Sequence, residues 1–176
     1  MHRAKGDTDR AIADYDDGIR LDPKYARAYR ARGVAVLQAG SFAKSLTDLD
    51  RSQELDPKDS YTALLREIVA MRSDQPGRLA EATTQHDMTK WPAPVVRLFL
   101  GEIKQDAVLA AAGDSDSKKQ KDQVCDANFY IGEMALRRGA TDEATQLFRS
   151  AAASCSKNSI EWSSAKAELK ALGINP

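Results

Sequence analysis

Residues 6–23 read GDTDRAIADYDDGIRLDP, and residues 40–57 read GSFAKSLTDLDRSQELDP. The second stretch repeats the first 34 positions on. Gly6 falls on Gly40, Ala11 on Ser45, Tyr15 on Leu49 and Gly18 on Ser52, and Leu-Asp-Pro closes both. A fixed period of this length predicts helical repeats, because each unit buries its apolar face only against a neighbour. Within the first copy, Ala11, Ile12, Tyr15, Ile19 and Leu21 recur at three- and four-residue steps, which puts them on one face of a helix. Pro23 and Pro57 end their helices because proline cannot continue the hydrogen-bond ladder.

Working outward, the same periodicity predicts helices over 25–39, 41–55 and 60–72. Gly33 stands in mid-helix, where its cost of about 1 kcal/mol relative to Ala implies a close helix–helix approach. Residues 74–119 break the rhythm with Asp74-Gln75-Pro76-Gly77, Trp91-Pro92-Ala93-Pro94 and Gly113-Asp114-Ser115-Asp116-Ser117. Shorter helices are expected there, over 77–87, 94–100 and 104–112. The rhythm resumes with helices over 121–138, 141–154 and 159–172. Ten helices and no credible strand make the fold class all-α. A single domain is expected over 1–176, with repeat units in 1–73, irregular helices and a linker in 74–119, and a further unit with a capping helix in 120–173. In a complete unit another helix precedes Gly6, which is expected to break the chain after 1–5. The chain is therefore expected to start upstream, with a signal sequence and more repeats, a truncated array being the alternative.

Composition narrows the function. Lys plus Arg and Asp plus Glu number 26 each, giving zero formal net charge. A dedicated nucleic-acid binder normally carries a basic excess, so none is expected here. No apolar run approaches the roughly 18 residues of a membrane helix. His2 and His86 lack a second ligand at metal spacing and read as surface or helix-end histidines. Asp14, Asp16, Asp17 and Asp22 lack the loop pattern calcium prefers and read as a solvated face. Lys118, Lys119 and Lys121 read as a hydrated linker. With no phosphate loop or nucleophile elbow, no catalytic residue, metal or cofactor is assigned, and the chain is expected not to be an enzyme.

Tyr29, Arg32-Gly33, Val36, Ser45, Leu49, Ser52 and Pro57 recur in kind as Asn128, Ile131-Gly132, Ala135, Ala144, Phe148 and Ala151. This spacing resembles the tetratricopeptide repeat, and the resemblance implies an α-α superhelix with an irregular insertion and a capping helix. Arg32 departs from the apolar residue usual before the glycine, so its charge must reach the surface or an acid. The stretches YTALLREIVAMRS, RLFLGEI, ANFYIGEMALRRGATDEATQLFRSAAA and SIEWSSAKAELKAL are similar, in order and loop length, to the new-lipoprotein-I-like adaptors of bacteria. That likeness implies a periplasmic adaptor in cell-envelope maintenance, a cytoplasmic protein being the alternative.

In this repeat the first helix of each pair lines a concave groove. The groove residues implied are Arg27, Arg30, Val34 and Leu37, then Tyr61, Leu64, Ile68 and Arg72, then Phe129, Tyr130 and Glu133. An apolar floor with an arginine rim suits a peptide or helix of a partner protein. The competing reading is that Leu64, Ile68 and Phe129 pack on the irregular helices. Val34 occupies the asparagine slot of the chaperone-tail clamp, which disfavours that ligand. Ala11, Ile12, Tyr15 and Ile19 lack the partner helix of a complete repeat, so self-association, as in a homodimer, is the alternative function.

Cys125 and Cys155, the two cysteines of the chain, fall at the start and the end of two consecutive antiparallel helices. In a helical hairpin those ends lie side by side, so a disulfide is expected between them. Two free thiols in a reducing compartment are the alternative.

Overall fold

The structure, a computed structural model, describes residues 2–175, with side chains from Thr8 onward. The reading of His2 as a surface side chain lies outside the described side chains. Ten α-helices and one 3₁₀ turn, with no strand, make up the described residues. The fold is all-α.

Contacts divide the chain into two compact units, Met1–Asp87 and Met88–Pro176. The first holds α1 (His2–Leu21), α2 (Ala26–Gln38), α3 (Phe42–Leu55), α4 (Ser60–Arg72), α5 (Leu79–Ala82) and the 3₁₀ turn Thr83–Gln85. The second holds α6 (Ala93–Phe99), α7 (Gln105–Ala111), α8 (Ser117–Arg137), α9 (Thr141–Ser154) and α10 (Ile160–Ala171). The irregular stretch is thus shared, α5 falling in one unit and α6 and α7 in the other.

Two helical hairpins, α2–α3 and α8–α9, are built alike. Each turns on a glycine with positive φ, Gly40 at 84° and Gly139 at 76°. Gly40 and Ser41 donate their amides to Leu37 and Val36 at 2.8 and 2.9 Å, while Gly139 and Ala140 donate to Leu136 and Ala135 at 3.0 Å. Four carbonyls at the helix ends are satisfied this way, a left-handed conformation only glycine adopts without cost. A second glycine brings the helices together. A Cβ on Gly33 would stand 3.0 Å from Leu49 Cγ, and one on Gly132 would stand 2.7 Å from Phe148 Cε1. The mid-helix glycines are contact points, as their cost implied.

Three expectations change. α1 runs unbroken from His2 through Gly6, so 2–5 belong to it rather than to a preceding helix. A helical glycine costs about 1 kcal/mol, too little to break a helix that packs. α8 begins at Ser117, because the Asp116 side chain accepts hydrogen bonds from the Lys118 and Lys119 amides at 2.9 and 3.2 Å. Those bonds, that of Lys119 foremost, hold the Asp116 carboxyl below its ordinary pKa. Lys118, Lys119 and Lys121 therefore lie on a capped helix, not in a linker. Finally, the helix expected over 77–87 is one α-turn and a 3₁₀ turn. Glu67 starts it by accepting from the Arg78 and Leu79 amides at 3.1 and 3.3 Å. The Thr83 and Thr84 hydroxyls then bind the Ala80 and Glu81 carbonyls at 2.7 and 2.9 Å, competing with the ladder that would extend it.

Candidate partner-binding surface

The groove residues separate by depth. Val34, Leu64, Ile68, Phe129, Tyr130 and Glu133 are all buried, at 5% exposure or less. They are interior side chains and offer no open apolar floor. Tyr130 packs edge-on against Phe99 of α6 at 6.0 Å and against Phe129 at 5.0 Å, so in the second unit the irregular helices do supply aromatic cover. Trp91 adds to it, its Nε1 donating to the buried Asp126 of α8 at 2.9 Å. Of the remaining groove residues, Arg27 is exposed, and Arg30, Leu37, Tyr61 and Arg72 are half-buried. Phe129, Tyr130 and Glu133 belong to the second unit and the other eight to the first.

Arg30 is a strut. Its Nη1 donates to Asp59 Oδ2 at 2.6 Å, and the same oxygen accepts from Thr62 Oγ1 at 2.7 Å. Asp59 Oδ1 accepts the Tyr61 amide, which caps α4. Ser52 Oγ bonds the Ala26 carbonyl at 3.0 Å and lies 3.3 Å from Thr62 Oγ1, so α2, α3 and α4 share one polar network.

Arg32 finds two acids. Its Nε and Nη2 donate to the two oxygens of Asp48 at 2.8 and 2.6 Å, and its Nη1 donates to Asp16 at 2.6 Å. The fork matches the carboxylate, the geometry that makes such pairs strong. Asp48 first, then Asp16, hold the guanidinium above its ordinary pKa, with desolvation opposing. Asp48 is 6% exposed and needs that counter-charge. Asp16 stays 56% exposed, as its reading on a solvated face requires, and also links α1 to α2.

Residues 2–60, which cover α1 and the α2–α3 hairpin, match the family model for the tetratricopeptide repeat. That segment, about a third of the chain, is similar to a tetratricopeptide repeat. The α8–α9 hairpin lies outside the matched residues and repeats the mid-helix glycine contact, Gly132 on Phe148 in place of Gly33 on Leu49, and the glycine turn of that segment.

On the repeat's first helix, Ala11, Ile12, Tyr15 and Ile19 are all half-buried. In the second hairpin Cys125 and Cys155 are bridged, with Cα atoms 4.9 Å apart and both residues buried. His86 departs from the surface reading. It ends the 3₁₀ turn but is 8% exposed, and neither ring nitrogen has a hydrogen-bond partner. Burial pushes its pKa down, the charge of Asp59 and a weaker approach to the Pro57 backbone opposing.

One feature was missed at the level of sequence. A cleft of about 330 Å³ opens in the first unit between α3, α4 and α5. Its deepest lining residues are Ala63 and Leu79, 3% and 4% exposed. Asp50, Glu54 and Glu81 supply its acidic groups, Arg66 and Arg78 its basic ones. The signal was present in Asp74-Gln75-Pro76-Gly77 and Thr83-Thr84, which shorten the second helix of this pair. Among the described residues no cluster of His, Cys, Asp or Glu is placed to hold a metal ion, and no helix is long and apolar enough to cross a membrane.

Proposed function

We propose that this protein is a non-catalytic adaptor that binds a peptide or helix of a partner protein through the first helices of its repeat pairs. The tetratricopeptide repeat is generally a protein-interaction scaffold, and the match over 2–60 carries the reading. On those helices Arg27 stays exposed and Leu37 and Tyr61 half-buried. This is the combination of apolar contact and charge that anchors a peptide. The partner face is therefore narrower than the eleven-residue groove, and Arg30 is excluded from it because removing it strands Asp59. A periplasmic setting in cell-envelope maintenance fits the resemblance to the new-lipoprotein-I-like adaptors, and the bridged cysteines support an oxidising compartment.

The test is a partner captured by crosslinking in the native cell and then titrated against purified variants. Arg27→Ala with Leu37→Ala is expected to weaken that complex about tenfold or more, since anchor truncations cost above 1 kcal/mol. Stability is expected to move by less than about 1 kcal/mol, as surface changes usually do. Unchanged affinity in a folded double variant rejects this face as the partner site.

A further inference from the structure

We propose that the cleft between α3, α4 and α5 is a second partner-binding site, one that takes a lysine or arginine side chain of an extended partner segment. It rests on the adaptor reading and adds to it a different face of the molecule, built by the second helices α3 and α5 together with Ala63 and Arg66 of α4. A repeat of this kind covers the flank of α3 with a full helix following α4. Here that helix is the single turn α5, and the cleft of about 330 Å³ is left where cover would lie. Its volume stands at the lower end of small-ligand pockets, room for one long side chain rather than a helix.

The lining selects the occupant. Ala63, Leu79 and Ala82 present methyl and isobutyl groups, against which an aliphatic stem loses water. Around them stand three carboxylates, Asp50 and Glu54 from α3 and Glu81 from α5. Arg66 is 10% exposed and donates its Nε to Asp50 at 2.6 Å, answering that carboxylate while it stays 40% exposed, so Glu54 and Glu81 are the acids left for an entering group. Glu54 pairs only along its own helix with Arg51, at 2.9 Å, and remains 65% exposed. Glu81 is exposed and has no ion-pair partner. An apolar stem ending in a cation matches this arrangement, the stem on the alanines and leucine and the head among the carboxylates. An acidic side chain meets the like charges of Glu54 and Glu81, and a purely aliphatic one leaves those carboxylates unanswered. Arg78, exposed and unpaired at the N-terminal end of α5, provides for an acid beside the anchored basic residue.

The experiment uses the full chain, isotope-labelled, titrated by NMR with the blocked peptide acetyl-Gly-Ala-Lys-Asp-Gly-amide and its norleucine twin. Saturable shifts are expected in the amides of 50–54 and 78–82. The norleucine peptide is expected to bind about tenfold more weakly, and so is the lysine peptide to Glu54→Lys/Glu81→Lys, two exposed changes that leave the fold intact. Glu81→Gln alone serves if the double variant does not fold, with an expected loss of about threefold. Absent saturation, or equal binding of the two peptides, overturns the inference. Shifts confined to α2 overturn it too, while leaving the adaptor reading in place.

Discussion

Gly132 and Gly33 hold the two hairpins at their closest points, and the two differ in what they face. A methyl on Gly132 meets ring carbons of Phe148 at 2.7 and 2.9 Å, and a buried ring cannot fold away. A methyl on Gly33 meets Leu49 at 3.0 Å, and a leucine has other rotamers. Alanine gains about 1 kcal/mol of helix propensity at either site, against an overpacking cost of 1–3 kcal/mol. Gly132→Ala is therefore expected to destabilise by about 1–2 kcal/mol and Gly33→Ala by less than about 1 kcal/mol, as read by denaturant unfolding. His86 belongs to the same scale. Its folded pKa lies below the ordinary value because burial disfavours the charged ring, so the unfolded chain takes up the proton first. Stability is then complete above the unfolded pKa of about 6.5 and falls as the pH drops through it. Between about pH 7 and pH 5 the wild type is expected to lose stability more steeply than His86→Leu, measured by thermal unfolding at each pH. Parallel curves for the two proteins contradict this assignment.

At the scale of the element, the helix ends decide more than the helix interiors. α2 and α8 stop on a glycine with positive φ, whereas α4 stops on Asp74, whose φ is 51°. The Gln75 amide still reaches the Ala70 carbonyl at 2.9 Å, so the same closing bond is made with a side chain present. An L-residue other than glycine is strained there, asparagine and aspartate least. Asp74→Gly is expected to raise stability by about 0.5–1 kcal/mol, a gain visible as a higher denaturant midpoint at constant m. A loss means that Asp74 makes a compensating contact. α5 carries the opposite lesson. Its start is bonded by Glu67 and its end is competed away by Thr83 and Thr84, so it stays one turn long and the cleft beside it persists.

At the scale of the whole molecule, the two units are secured differently. The first relies on partly buried ion pairs, Arg32 with Asp48 and Arg30 with Asp59, and the second on aromatic packing and one covalent link. The Cys125–Cys155 bridge closes a span of 30 residues around the α8–α9 hairpin. In the chain-entropy account this is worth roughly 3–4 kcal/mol. Protein taken from its native compartment is expected to show no titratable thiol in denaturant. Reduction is expected to lower hydrogen-exchange protection by that amount in α8 and α9 and to leave α2 and α3 unchanged. Two free thiols in freshly isolated protein contradict the bridge and, with it, the argument for an oxidising compartment.

Periodicity in the chain determined the helix class, the hairpin pairs and the glycine contacts, because those follow from local spacing and from steric limits at single residues. It also implied that the charge of Arg32 must reach the surface or an acid, and that the two cysteines meet. Only the tertiary structure decided depth. Val34, Leu64 and Ile68 have the spacing of a groove floor, but spacing gives the face of a helix and not what lies over it. Tyr130 became a core residue for the same reason, through Phe99, a residue 31 positions away. Which acids Arg32 chose, the burial of His86 and the cleft beside α5 all depend on how helices distant in sequence come together, and no local rule encodes that.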